Sequence, residues 1–148
     1  MNESSIAIRH ARVEDLPSIY AIEKECFKDP YPFELFKIFL NLPGVFLVAE
    51  YEGSIIGYVV VLIRDGMGHI FSIAVAEKFR RRGVGKMLLK RALAILREIE
   101  IKTFRLEVRV SNYPAQQLYK LLGFKVDRRI PSYYPDGEDA YVMTLTLP

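Results

Sequence analysis

Residues 80–86 read RRRGVGK: three arginines run into two glycines spaced one apart, then a lysine. The apolar run IFSIAVA (70–76) precedes the stretch, and VGKMLLKRAL (84–93) follows it with apolar side chains at helical spacing. The stretch therefore reads as a junction between a buried strand and a helix. A helix start offers unpaired backbone N–H groups and the positive end of a dipole. Cationic side chains there cost some tenths of a kcal/mol each unless an anion is present. Gly83 and Gly85 leave no side chain to block a close approach. Three readings are open: a solvated turn, a nucleic-acid patch, or a cradle for a phosphate-bearing cofactor. The stretch is not a P-loop, because Arg80 stands where its first Gly belongs and Met87 replaces its Ser or Thr. It is not GxGxxG either, because Leu88 holds the third glycine's place.

The charge around the stretch is focused. Seven of the 21 basic residues and one of the 18 acidic ones fall between Glu77 and Arg91, leaving 14 against 17 elsewhere. A mildly acidic body with one basic spot suits a compact polyanion. A general nucleic-acid binder spreads its basic charge along a face or a tail.

The 148 residues favour one domain with one full core. Half the chain is hydrophobic (51%), with 26% charged residues, which excludes a disordered protein. Cys26 is the single cysteine, so no intramolecular disulfide forms, and a reducing, cytoplasmic setting is expected. With two histidines the usual zinc spacings are missing, and no metal is expected. No apolar run approaches the ~20 residues of a membrane span. The start MNESSIAIRH lacks a basic region followed by a long apolar one, so no signal peptide is expected.

Outward from the junction, the periodicities predict strands at 6–11, 45–51, 54–63, 68–76 and 103–110, with two more in FKVDRRI (124–130) and DAYVMTLTL (139–147). Helices are predicted at 13–27, 33–41, 84–99 and 112–122, the last with Pro114 in its first turn and Gly123 as its stop. The order β-α-α-β-β-β-α-β-α-β-β describes one domain of mixed α and β character (α+β), a mostly antiparallel sheet of about seven strands flanked by four helices.

RRRGVGK resembles the R/Q-x-x-G-x-G/A motif of the GNAT superfamily of acetyl-CoA-dependent N-acetyltransferases. SIAV (72–75) before it, and LEVRVSN (106–112) and LYKLLGF (118–124) after it, occur in that family's order. SYYPDGEDAYVM (132–143) resembles the closing segment of the branch that holds RimI-type and archaeal N-terminal protein acetyltransferases. The resemblance covers nearly the whole chain. It implies the GNAT fold and acetyl transfer from acetyl-CoA to a protein N-terminus, ribosomal proteins among the acceptors. It implies further that the main chain of Arg80, Arg81, Arg82, Gly83, Val84, Gly85 and Lys86 wraps the coenzyme's pyrophosphate. Ile73, Ala74 and Val75 would offer backbone to the pantetheine arm, and Asn112 can reach the same arm. Arg80 stands where bacterial relatives often carry Gln.

Such a transfer needs a neutral amine. An α-amine of pKa near 7.7–8.0 is roughly a tenth to a sixth neutral at pH 7, a lysine only about once in 2,500. Glu107 lies in the alternating stretch TFRLEVRV, on the face of Arg105 and Arg109. Spacing alone fits a surface ion pair; the resemblance makes it the base. His69 reads as a structural residue at a strand start, and by resemblance as a second base. Tyr119, between Leu118 and Leu121, reads as core; by resemblance it is the acid beside the thioester sulfur. Asn112 suits a helix cap. Tyr31, Tyr133 and Tyr134 belong to aromatic loops next to prolines, DPYPF (29–33) and SYYP (132–135), and by resemblance they and Phe27 line the acceptor groove. Asp136, Glu138 and Asp139 make that groove acidic. Cys26 sits on the apolar face of its helix and reads as core, so direct transfer without an acyl-enzyme is expected. The other readings are a GNAT enzyme for a small amine or a lysine side chain, and a non-catalytic module that binds coenzyme A or RNA. A monomer or weak homodimer is expected, with neither a membrane nor a specific nucleic acid as partner.

Overall fold

The computed structural model describes residues 5–148. The reading that no signal peptide is present rests in part on residues 1–4, which lie outside the described residues. The predicted elements are present in the predicted order. They are β1 (Ile6–His10), α1 (Leu16–Cys26), α2 (Phe33–Phe39), β2 (Gly44–Tyr51), β3 (Ser54–Arg64) and β4 (Met67–Val75). After β4 come α3 (Val84–Glu98), β5 (Thr103–Arg109), α4 (Tyr113–Leu121), β6 (Lys125–Ile130) and β7 (Ala140–Thr146).

The first helix starts later than its periodicity predicts, after a 3-10 turn at Val13–Asp15. The buried Asp15 carboxylate accepts the Arg12 N–H at 2.8 Å and takes both nitrogens of the Arg9 fork at 2.8 and 2.9 Å. This local bond competes with the first helical turn.

The strands form one sheet in the order β1-β2-β3-β4-β5-β7-β6. Every neighbouring pair is antiparallel except β4 with β5. β2 and β3 are apolar at nearly every position because both faces are covered. Phe46, Val48, Tyr58 and Val60 pack against Leu16, Ile19, Phe36 and Phe39 of α1 and α2. Val45, Leu47, Val59 and Val61 face Leu88, Leu89, Ala92 and Leu96 of α3. Each such buried leucine contributes about 1.5–3 kcal/mol.

Two features of β4 shape the site. Its parallel pairing with β5 consists of Gly68–Phe104 and His69–Arg105, although β4 runs on to Val75 and β5 to Arg109. The two strands therefore part after His69, and the backbone of β4 beyond it faces no strand on that side. The ladder to β3 also shifts register: Val60 opposes Ser72 and Val61 opposes Ile70, so Phe71 is the extra residue of a bulge.

Candidate active site

A cleft of about 180 Å³ opens where β4 and β5 part. Its lining brings together Glu107, His69, Tyr119, Ile73 and Asn112 with Phe27, Tyr31, Tyr133 and Tyr134. These residues come from both sheet halves, α4 and two separate loops. Ala74, Val75 and residues 80–86 lie outside that lining, along the end of β4 and the start of α3. Ala74 turns its methyl into the α1–α2 layer, so only its backbone can serve a ligand.

Glu107 is not the exposed strand carboxylate that alternation suggests: its side chain is 9% exposed. Oε1 lies 2.7 Å from His69 Nε2, and Oε2 accepts from Arg105 Nε at 3.2 Å. Burial pushes the Glu107 carboxyl up, but hydrogen bonds and charge from His69 and Arg105 outweigh it, and the group ends below its ordinary range. The His69 ring also packs on Phe71 at 4.4 Å between centroids. Tyr119 is both core and cleft residue: it packs against Phe124 at 5.9 Å and lines the cleft. Burial pushes its phenol well above the ordinary value. Asn112 caps α4, accepting the Ala115 N–H at 3.2 Å, and lines the cleft as well.

At the start of α3, Arg81 and Gly83 take left-handed conformations at φ 64° and 77°. A Cβ on Gly83 would meet nothing within 4 Å, so the space in front of the helix is open. A Cβ on Gly85 would instead touch Leu118 Cδ2 at 3.4 Å and Val75 Cγ2 at 3.7 Å, so this glycine seats α3 against α4 and β4. The first turn of α3 thus presents N–H groups to open space, a fit for the pyrophosphate of coenzyme A. Arg80 does not reach outward. Its Nε donates to the Val75 carbonyl at 3.2 Å, and Nη2 lies 3.0 Å from Cys26 Sγ. Arg82 lies over the Phe79 ring at 5.9 Å. Cys26 is half-buried and packs against the α1–α2 core layer, and burial, opposed by Arg80, leaves its thiol raised.

The acidic field expected of the aromatic loops is largely taken up internally. Arg109 binds Asp29 at 2.9 Å, Asp136 at 2.9 Å and Glu138 at 2.8 Å, and its guanidinium stacks on Tyr134 at 4.1 Å. Asp139 is held by Arg129 at 2.7 Å. Arg109 thereby ties the loop after α1 to the loop before β7.

Sequence reasoning missed Glu23, Asp29, Ser72 and Arg109, all of which line the cleft. A signal for Glu23 was present, since an acid four residues after Ile19 and seven after Leu16 falls on the apolar stripe of its helix. The meeting of residues 38 apart, as in His69–Glu107, has no signal in spacing.

The acetyltransferase (GNAT) family model matches residues 16–124, and the chain belongs to this family. An N-alpha-acetyltransferase of Sulfurisphaera tokodaii is 39% identical, with 95% of this chain and 92% of that protein covered. The solved structure of Ard1 from Thermoplasma volcanium superimposes with a TM-score of 0.93 at 33% identity, covering 97% and 99% of the two chains. The ribosomal-protein-S18-alanine N-acetyltransferase from Escherichia coli gives 0.89 at 30% identity, covering 95% and 93%.

Proposed function

We propose that the protein transfers the acetyl group of acetyl-CoA to the α-amine of protein N-termini, ribosomal proteins among them, by direct attack on the thioester. The observation that carries this reading is the convergence of the Glu107–His69 pair, Tyr119 and four loop aromatics on the gap between β4 and β5. A relative named an N-alpha-acetyltransferase and a solved structure named as a ribosomal-protein-S18-alanine N-acetyltransferase support the choice of acceptor.

In this reading the first turn of α3 holds the pyrophosphate of acetyl-CoA, and the free backbone of β4 from Ile73 onward holds its arm. The thioester then lies beside the Phe71 bulge, whose unpaired main chain can donate to the carbonyl oxygen as charge develops. The amine nitrogen attacks the carbonyl carbon, and its proton passes to the Glu107–His69 pair. The depressed Glu107 is ionised at neutral pH and can accept. The C–S bond breaks, and the leaving thiolate takes the Tyr119 proton, which burial keeps on the phenol until then. Cys26, with a raised thiol and no place in the cleft lining, has no part in the transfer. Every group named comes from one chain, so a monomer suffices. A cytoplasmic site of action fits the single cysteine.

The test is thiol release from acetyl-CoA against peptides beginning Ser, Ala, Met and Glu, each free and N-blocked, with blocked lysine peptides and spermidine alongside. Release confined to free N-termini is expected. Release with spermidine or blocked lysine peptides would assign the small-amine or lysine reading. Tight acetyl-CoA binding without release to any acceptor would assign a binding module.

A further inference from the structure

Glu23 lies on the buried face of α1 and is 2% exposed. Oε1 accepts from the hydroxyl of Tyr58 and from Ser72 Oγ at 3.0 Å, and Oε2 accepts from the backbone N–H of Tyr31 at 3.0 Å. The Tyr58 and Ser72 hydroxyls are themselves 3.0 Å apart. The partners are two hydroxyls and an amide, not a cation. Burying a carboxylate is costly, and here hydroxyl and amide hydrogen bonds offset that cost without a counter-charge. Ser72 directly follows Phe71, the bulged residue of β4, and Tyr31 forms part of the loop after α1. Both line the cleft, as Glu23 does. One carboxylate therefore spans the two walls between which the acceptor must enter.

We propose that Glu23 is the positioning residue of the acceptor pocket, fixing Tyr31 relative to the β4 bulge. The proposal rests on the acceptor-binding role given above to the aromatic loops. It makes the two carboxylate oxygens inequivalent. Glu23→Gln has one carbonyl oxygen where the carboxylate has two acceptors, so in either amide orientation it cannot accept on both sides at once. The charge-assisted tie between the walls is weakened, and the loop carrying Tyr31 is held less firmly.

The experiment is a double-mutant cycle of Glu23→Gln with Tyr31→Ala, reading KM and kcat for an acceptor peptide and Kd for acetyl-CoA by calorimetry. The expected result is an acceptor KM about tenfold higher in Glu23→Gln, with acetyl-CoA affinity within about twofold of wild type. In the Tyr31→Ala background the same change should have little further effect. Additive effects in the cycle, or parallel losses of acceptor and acetyl-CoA binding, would make Glu23 merely structural and overturn the proposal. An unchanged acceptor KM would overturn it too. Should Glu23→Gln not fold, Tyr58→Phe takes its place in the cycle, with a smaller rise of the same sign expected and additivity again overturning the idea. A wild type without turnover on any peptide removes both readings. A wild type that turns over while Glu23→Gln matches it removes this one alone.

Discussion

Among the described residues the carboxylates of Asp15, Glu23 and Glu107 are buried or nearly so, and each has a different task set by its partners. Asp15 is held by the Arg9 fork, whose hydrogen bonds outweigh burial and lower its pKa. Glu107 is lowered as well, in spite of its burial, by His69 and Arg105. Folded values below the unfolded ones mean that both groups stabilise the protein fully above the ordinary carboxylate range; this stability is gone only below the depressed folded values, its loss beginning as pH falls through about 4. Acid titration followed by circular dichroism should therefore show unfolding begin near there, and Arg9→Met should move the onset upward. The rate should respond at higher pH. With Glu107 already ionised, kcat/KM for a peptide should rise with pH until the acceptor amine itself is neutral, near 8. Glu107→Gln should lower kcat by about 10²–10⁴ and Tyr119→Phe by at least tenfold, both with little change in acetyl-CoA affinity. Glu107 and Tyr119 are singled out by the resemblance carried in LEVR and LYKLLGF, and both line the cleft. Their environments are not legible in the sequence. Nothing near Glu107 in sequence announces His69, and the burial that keeps Tyr119 protonated depends on Phe124 and the core around it.

At the scale of elements, the helices and strands were legible because each buries a regular face. The 3.6-residue period of α3 and the alternation of β5 survive in the observed burial. What periodicity could not supply is how far neighbouring strands pair. The contact of β4 with β5 depends on Gly68, where an added Cβ would come within 2.6 Å of Phe104 Cε1. Phe104 is fully buried and cannot move aside. Gly68→Ala should cost about 1–3 kcal/mol in denaturant melts, since the overpacked ring has nowhere to go. Activity should fall with it, because His69 is the next residue and forms the last rung to β5. The shift of one residue that makes Phe71 a bulge was equally invisible, since GHIFSIAVA reads as an uninterrupted apolar run.

For the whole molecule, charge is the property that sequence conveyed best in amount and least well in direction. The basic spot is where the count placed it, yet Arg80 is committed to Val75 and Cys26, and Arg82 to Phe79. The acidic loops likewise spend Asp29, Asp136 and Glu138 on Arg109. In the proposed reading, backbone N–H groups at the start of α3, with part of the surrounding positive charge, are left for the pyrophosphate. The KM for acetyl-CoA should accordingly rise only about three- to tenfold between 50 and 500 mM salt, with peptide KM less affected. A slope as steep as that of a phosphate-backbone binder would contradict this picture. The parting of β4 and β5 has a last consequence. Proteins ordinarily hide or blunt a free strand edge, because other chains add to it. Here the edge lies inside the sheet, closed at one end by the rungs at Gly68 and His69 and flanked by the cleft. The fold thus holds unpaired backbone in the interior of the sheet, within reach of a narrow, flexible guest, instead of at its rim.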